Sequence, residues 1–208
     1  MNVSNQADVA PESERGPRAR TRRLMLESAV RLMQKGLIPS VAEVAEEAEV
    51  SRATAYRYFP SQAALVSAVV DEALGPILDW TSDEADAGER VDDLLRTSLP
   101  RIDEFEATFR AALRHALDEW AGRQAGGDGD DARFRRGHRI ELLRDAVAPL
   151  ADHLPGNEAD RLAKALSLIF GVETLVILKD IWGCDAGEAA EIARWAARAL
   201  VAATMRGD

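Results

Sequence analysis

The sequence holds a single cysteine, Cys184, so no internal disulfide can form. That suits a reducing cytoplasm, with the thiol read as a small apolar side chain near a helix junction. No apolar run reaches the ~18 residues that span a membrane. The opening stretch MNVSNQADVAPESERGPRAR has no apolar core and does not read as a secretory leader. Strand-type alternation is missing throughout, which leaves an all-α fold. The three histidines, 115, 138 and 153, lie far apart without metal-ligand spacing, and there is no nucleophile motif. Asp128, Asp130 and Asp131 do not make a calcium loop, because the twelfth position from Asp128 is Arg139 where a bidentate Glu is needed. Neither a metal, a cofactor nor an enzymatic activity is expected.

What is present is helix period and an uneven charge. The chain has 208 residues and a formal net charge of −10. Residues 1–62 carry nine Lys+Arg against eight Asp+Glu, and the rest carries 17 against 28. An acidic total argues against indiscriminate nucleic-acid binding but leaves room for a small placed patch.

Residues 1–17 are polar and read as a disordered arm. Arginines at 15, 18, 20, 22 and 23 follow, either a solvated helix start or a phosphate-touching arm. Leu26, Ala29, Val30, Met33 and Leu37 then mark one face of a helix over about 18–35, stopped by Gly36. Ser40 with Glu43 forms a capping box opening a second helix over 41–48. Ser51 caps a third over 52–58, and Ser61 a fourth with Leu65, Ala68 and Val69 buried. Pro76 breaks or kinks that fourth helix. Val91, Leu94, Leu95 and Leu99 mark a fifth, stopped by Pro100. Ile102 to Trp120 marks a sixth, and 132–152 a seventh whose basic start, RFRRGHR, reads as a solvated face. Asn157 caps an eighth containing ALSLIFGVETLVIL, apolar almost all round. Asp185 with Glu188 caps a ninth with an alanine-rich stripe. A helix apolar on two sides needs covering on both, which points to a partner subunit.

The stretch SVAEVAEEAEVSRATAYRYFPSQAAL, residues 40–65, places two short helices across a tight turn, a helix-turn-helix. Val41, Val44, Ala45, Ala48 and Val50 pack the pair. The outer side of the second helix carries Arg52, Thr54, Tyr56, Arg57 and Tyr58. Arginine can read guanine, a threonine methyl can meet a thymine methyl, and tyrosine hydroxyls can hold phosphates.

This stretch resembles the DNA-binding segment of the tetracycline-repressor (TetR) family of transcriptional regulators. Residues 18–70 match the family pattern, and 75–208 match only in helix count, spacing and size. The resemblance implies a three-helix DNA-binding domain over 18–65 and a larger helical effector-binding and dimerisation domain over 66–208, about nine helices in all. It implies a cytoplasmic homodimer on a palindromic double-stranded operator, a repressor released by a small, mainly apolar ligand. The implied DNA-contacting set is Arg52, Ala53, Thr54, Tyr56, Arg57 and Tyr58, with Ser40, Ser51 and Gln62 at the helix starts. Two departures stand out: Glu49 replaces the usual turn glycine, and Gln62 the usual phosphate-binding lysine. A helical adaptor of the same fold without DNA binding is the alternative. Aromatic and polar-aromatic candidates for the effector pocket are Phe105, Phe109, His115, Trp120, Phe134, His138 and Phe170. Candidates for the dimer interface are Leu168, Gly171, Val172, Leu175, Ile192, Ala196 and Ala199.

Overall fold

The computed structural model describes residues 16–126, 137–151 and 153–207, and every described element is helical. The arm over 1–15, the acidic loop at 128–131 and Phe134 lie outside the described residues.

The first helix, α1 (Pro17–Gln34), starts with proline, whose missing N–H would be unbonded there anyway. It ends where Gly36 turns to φ +77°, with the Gly36 and Leu37 amides donating back to Met33 and Leu32. That paired pattern is a Schellman stop. In α2 (Val41–Glu47), Ser40 Oγ accepts from the Glu43 amide at 3.2 Å while the Ser40 amide donates to Glu43 Oε2 at 2.7 Å. Next come α3 (Arg52–Tyr58) and α4 (Gln62–Leu74), each capped by the serine before it. A 3-10 turn over Gly75–Asp79 carries Pro76 and ends α4 as the sequence requires.

The larger half begins with α5 (Ala87–Glu104) and α6 (Glu106–Gln124). Pro100 does not stop α5, which continues one more turn to Glu104. Proline there removes one intrahelical bond, but Leu99 and Ile102 on either side are buried and hold the turn in place. Then follow α7 (His138–Val147), α8 (Glu158–Leu166), α9 (Val172–Leu175), which runs on as a π turn over Val176–Ile181, and α10 (Ala186–Arg206). Asn157 precedes α8 but makes no side-chain cap, so acidic residues alone occupy its first turn.

The expected long eighth helix is two pieces. Gly171, at φ +140°, breaks it, a backbone geometry that favours glycine. The break turns Phe170, Val172 and Leu175 inward and leaves Leu168 on the surface. Among the described residues ten α-helices therefore stand where about nine were expected of the chain.

The helices α1 and α4 pack together and on α6, α10 lies along α5, and α7 sits between α5 and α8. One apolar core runs through both halves. The C-terminal end of α4 is held by an arginine from α5. Arg101 Nε donates to the Leu74 carbonyl and its Nη2 to that of Glu72, both at 3.2 Å. Its guanidinium lies 4.6 Å over the Phe105 ring. A cation at a helix C-terminus satisfies orphan carbonyls and meets the negative end of the dipole.

A second staple joins α5 to α10. Asp92 accepts from Arg194 Nε and from Arg198 Nη1, each at 2.9 Å. The Arg194 hydrogen bond, helped by Arg198 and opposed by burial, holds the Asp92 carboxyl below its ordinary range. A depressed carboxylate stabilises the fold above its unfolded pKa and loses that contribution as pH falls through the folded value. Asp92→Asn should therefore cost about 1–3 kcal/mol at neutral pH. Urea melts of both proteins should show this difference shrinking below about pH 4; a pH-independent difference would mean the charge is not what stabilises.

Candidate nucleic-acid interface and internal cavity

The turn between α2 and α3 repeats the stop that ends α1, with one chemical difference. The Glu49 amide donates to Glu46 at 3.1 Å and that of Val50 to Ala45 at 2.9 Å. The left-handed position belongs to Glu49, at φ +55°, the only non-glycine residue with positive φ among the described residues. The sequence departure at this turn is thus a real one. Chain direction is kept, at the cost of backbone strain that glycine would not carry.

The helix α3 has a clear inside and outside. Ala55 and the following Phe59 are buried, while Arg52, Ala53, Tyr56 and Arg57 are exposed, Tyr56 to 48%. Ser51 Oγ accepts from the Thr54 amide at 3.2 Å and donates to Thr54 Oγ1 at 2.9 Å. The cap therefore orients the Thr54 side chain by its hydroxyl. Tyr58 differs from Tyr56: its hydroxyl donates to the Arg18 carbonyl at 3.1 Å, tying the start of α1 to α3. Arg57 lies over the Tyr58 ring and Arg22 over the Phe59 ring, at 5.8 and 5.9 Å. Gln62 turns inward, donating to the Ile38 and Pro39 carbonyls at 3.3 and 3.1 Å. It braces the segment before α2 and so belongs to the support of the face, not to its outward set. Ser40 and Ser51 likewise act as caps.

Where the end of α4 meets the larger half lies a cavity of about 90 Å³, bounded by Val70 and Leu74 of α4, Ile102 of α5, Phe109, Ala112 and Leu113 of α6, His138, Arg139 and Leu142 of α7, and Phe170 to Val172. Of the expected pocket residues it gathers Phe109, His138 and Phe170. Phe105, His115 and Trp120 stand elsewhere. Phe105 carries Arg101, and His115 is buried on α6 with Glu119 Oε1 3.5 Å away. Trp120 is 56% exposed. The α4 contribution went unread because the fourth helix was assigned to the core by its period alone. Arg139 was hidden in a basic run taken for a solvated face. Among the described residues no group of three or more His, Cys, Asp or Glu could hold a metal.

The expected interface residues also divide. Leu168, Ile192 and Ala199 are exposed and Ala196 is half-buried, whereas Gly171, Val172 and Leu175 are buried within the chain. The break at Gly171 is what turns them in. Ile177 and Ile181 on the π extension of α9, Trp182 just after it and Trp195 on α10, not anticipated, are exposed.

Residues 25–69 match the family model for bacterial regulatory proteins of the tetR family. Over this segment the chain is similar to the tetR family. It is 27% identical over 110 residues to the HTH-type transcriptional repressor LfrR of Mycolicibacterium smegmatis, a match spanning 53% of this chain and 49% of LfrR. The chain thus spans about half the length of that relative. Its fold is that of a tetR-family regulator from Streptomyces coelicolor, with a TM-score of 0.63 at 19% identity, covering 91% of this chain and 84% of the other. A TetR regulator from Rhodococcus sp. RHA1 gives a TM-score of 0.59 at 18% identity, covering 90% and 98%. The tetR relationship and the all-helical fold thus agree with the motif-based expectation. No single described helix is long and apolar enough to cross a membrane.

Replacing Glu49 by glycine should remove the strain and stabilise the protein by about 1 kcal/mol. The melting temperature should rise by about 2–4 °C. Glu49→Gln keeps the strain and should leave it unchanged. Equal melting temperatures for all three proteins would mean that the turn is unstrained.

Proposed function

We propose that the chain is a dimeric, sequence-specific DNA-binding repressor, released from its operator by a small, mainly apolar ligand. The observation that carries this reading is the outward face of α3. Arg52, Ala53, Tyr56 and Arg57 are exposed together beside a capped helix start, while Ala55 and Phe59 fix the helix from behind. An exposed arginine at the head of such a helix can read guanine N7 and O6. Tyr56 and the α1 arginines supply phosphate contacts, which position the protein without specifying sequence. Thr54 presents what its cap leaves free, and Tyr58 acts through the α1 start it holds. In a twofold dimer the two α3 helices lie about one DNA turn apart, so the operator is a near-palindrome.

The exposed apolar side chains Leu168, Ile181, Trp182 and Trp195 support dimerisation through α9 and α10. Large exposed apolar groups on neighbouring elements mark an interaction face. The cavity supports the ligand reading. Ordinary small-molecule sites occupy about 300–1,000 Å³, so the observed space must widen to accept one. Val70 and Leu74 of α4 form one wall, and moving that wall moves the helix stapled to the DNA-binding face. Such a ligand acts only if it binds the widened form more tightly than the DNA-competent one.

Footprinting on the DNA flanking the gene for this chain tests the reading. A protected near-palindrome is expected; a folded dimer that protects nothing would favour the adaptor. On that site Arg52→Ala should cost roughly 1–3 kcal/mol and relax preference at one base pair, whereas Tyr56→Phe should weaken all sequences alike. A uniform loss with Arg52→Ala would remove its assigned role. Sedimentation should give a dimer at micromolar concentration, and Trp195→Asp a monomer with helicity retained. A monomer before any substitution would overturn the dimer.

A further inference from the structure

Resting on the reading of the cavity as the effector site, we infer that its ligand is an organic anion, an apolar body ending in one carboxylate held at the α7 end. The walls decide the body. Phe109, Leu113, Leu142 and Phe170 surround the space, and no hydroxyl or amide side chain lines it among the described residues. The charge comes from one end only. Among the described residues the only ionisable ones in the lining are His138 and Arg139, adjacent at the start of α7.

Both have a carboxylate partner that does not line the cavity. His138 Nε2 is 2.8 Å from Asp71 Oδ1, and Arg139 Nη2 donates to Glu173 Oε2 at 2.7 Å. Arg139 Nη1 also donates to the Ser167 carbonyl at 3.1 Å. These bonds orient the two side chains, and among the described residues the lining itself holds cationic or donor groups and no carboxylate. The guanidinium has five N–H donors in a planar fork suited to a carboxylate, and these bonds use two.

Gly171 makes the arrangement sterically feasible. A Cβ at that position would fall 2.1 Å from Arg139 Nη2 and 2.7 Å from Glu173 Oε2. The absence of a side chain at Gly171 therefore leaves room for the Arg139–Glu173 ion pair that orients the guanidinium. A cationic ligand would face the guanidinium with no opposing charge on the lining and would lose its own hydration. A neutral ligand would gain the apolar burial but not the charge-assisted bond.

The test uses three eight-carbon probes with one apolar body and different heads: octanoate, 1-octanol and octylammonium, each titrated calorimetrically into the full chain at neutral pH. Octanoate should bind roughly tenfold or more tighter than 1-octanol, the worth of a hydrogen bond to a charged group, and octylammonium weakest. Arg139→Gln should abolish the octanoate advantage and leave 1-octanol unchanged, while Arg139→Lys should keep part of it. Should Arg139→Gln fail to fold, the lysine variant and the probe series on the unaltered protein still decide. An alcohol or ammonium probe binding as tightly as octanoate would overturn the anion and leave the cavity as an effector site. An octanoate advantage that survives Arg139→Gln would place the carboxylate elsewhere and overturn it too. Binding of none of the three would overturn both the inference and the effector site on which it rests.

Discussion

The interaction on which the rest depends is the double attachment of α4. At its start Gln62 braces the backbone before α2, and at its end Arg101 of α5 caps the last carbonyls. Between these points the helix packs on α1 and on α6 and gives Val70 and Leu74 to the cavity. A helix tied to other elements at both ends by side-chain hydrogen bonds moves as a unit. On the proposed function, a change in the cavity wall is carried through α4 to the segment before α2. The Gly75-Pro76 break confines that unit, because α4 cannot continue through it.

The half proposed to face DNA shows how few residues such a face needs when each is supported from behind. Three serines cap three successive helices, and two Schellman stops end α1 and α2. Ala55 and Phe59 anchor α3 so that its exposed residues share one surface. The chain has two tyrosines, Tyr56 and Tyr58, and they have different tasks. One is exposed, and the other spends its hydroxyl on the backbone of α1. The acidic total is compatible with this arrangement because α3 itself carries no carboxylate. The acidic residues gather on α2, on the turn and in the larger half.

Local signals were legible in the sequence because they are made of local contacts. The capping box at Ser40 and Glu43, the stop at Gly36, the left-handed Glu49 and the break at Pro76 each depend on residues within about one helical turn. The outer face of α3 was legible for the same reason. What was not legible depended on distant partners. Pro100 reads as a stop, but burial of Leu99 and Ile102 carries α5 past it. The run ALSLIFGVETLVIL reads as one helix, but Gly171 breaks it. Which apolar residues then face out was hidden with it, so Val172 and Leu175 were assigned to a partner when they belong to the core. Trp120 looked like pocket because aromatic type carries no direction. Arg139 looked like surface because its partners, Ser167 and Glu173, lie about thirty residues further along the chain.

The central claim is that the cavity and the DNA-binding face are coupled through α4. The most direct measurement is the affinity of Ala112→Trp for the footprinted site, beside the unaltered protein. Ala112 is buried on α6 and lines the cavity opposite α4, and an indole there demands more room than the closed cavity offers. Circular dichroism and sedimentation establish that the variant is folded and dimeric. The account predicts a several-fold loss of affinity for the specific site without loss of helicity. A folded, dimeric Ala112→Trp protein that binds its site as tightly as the original would contradict it.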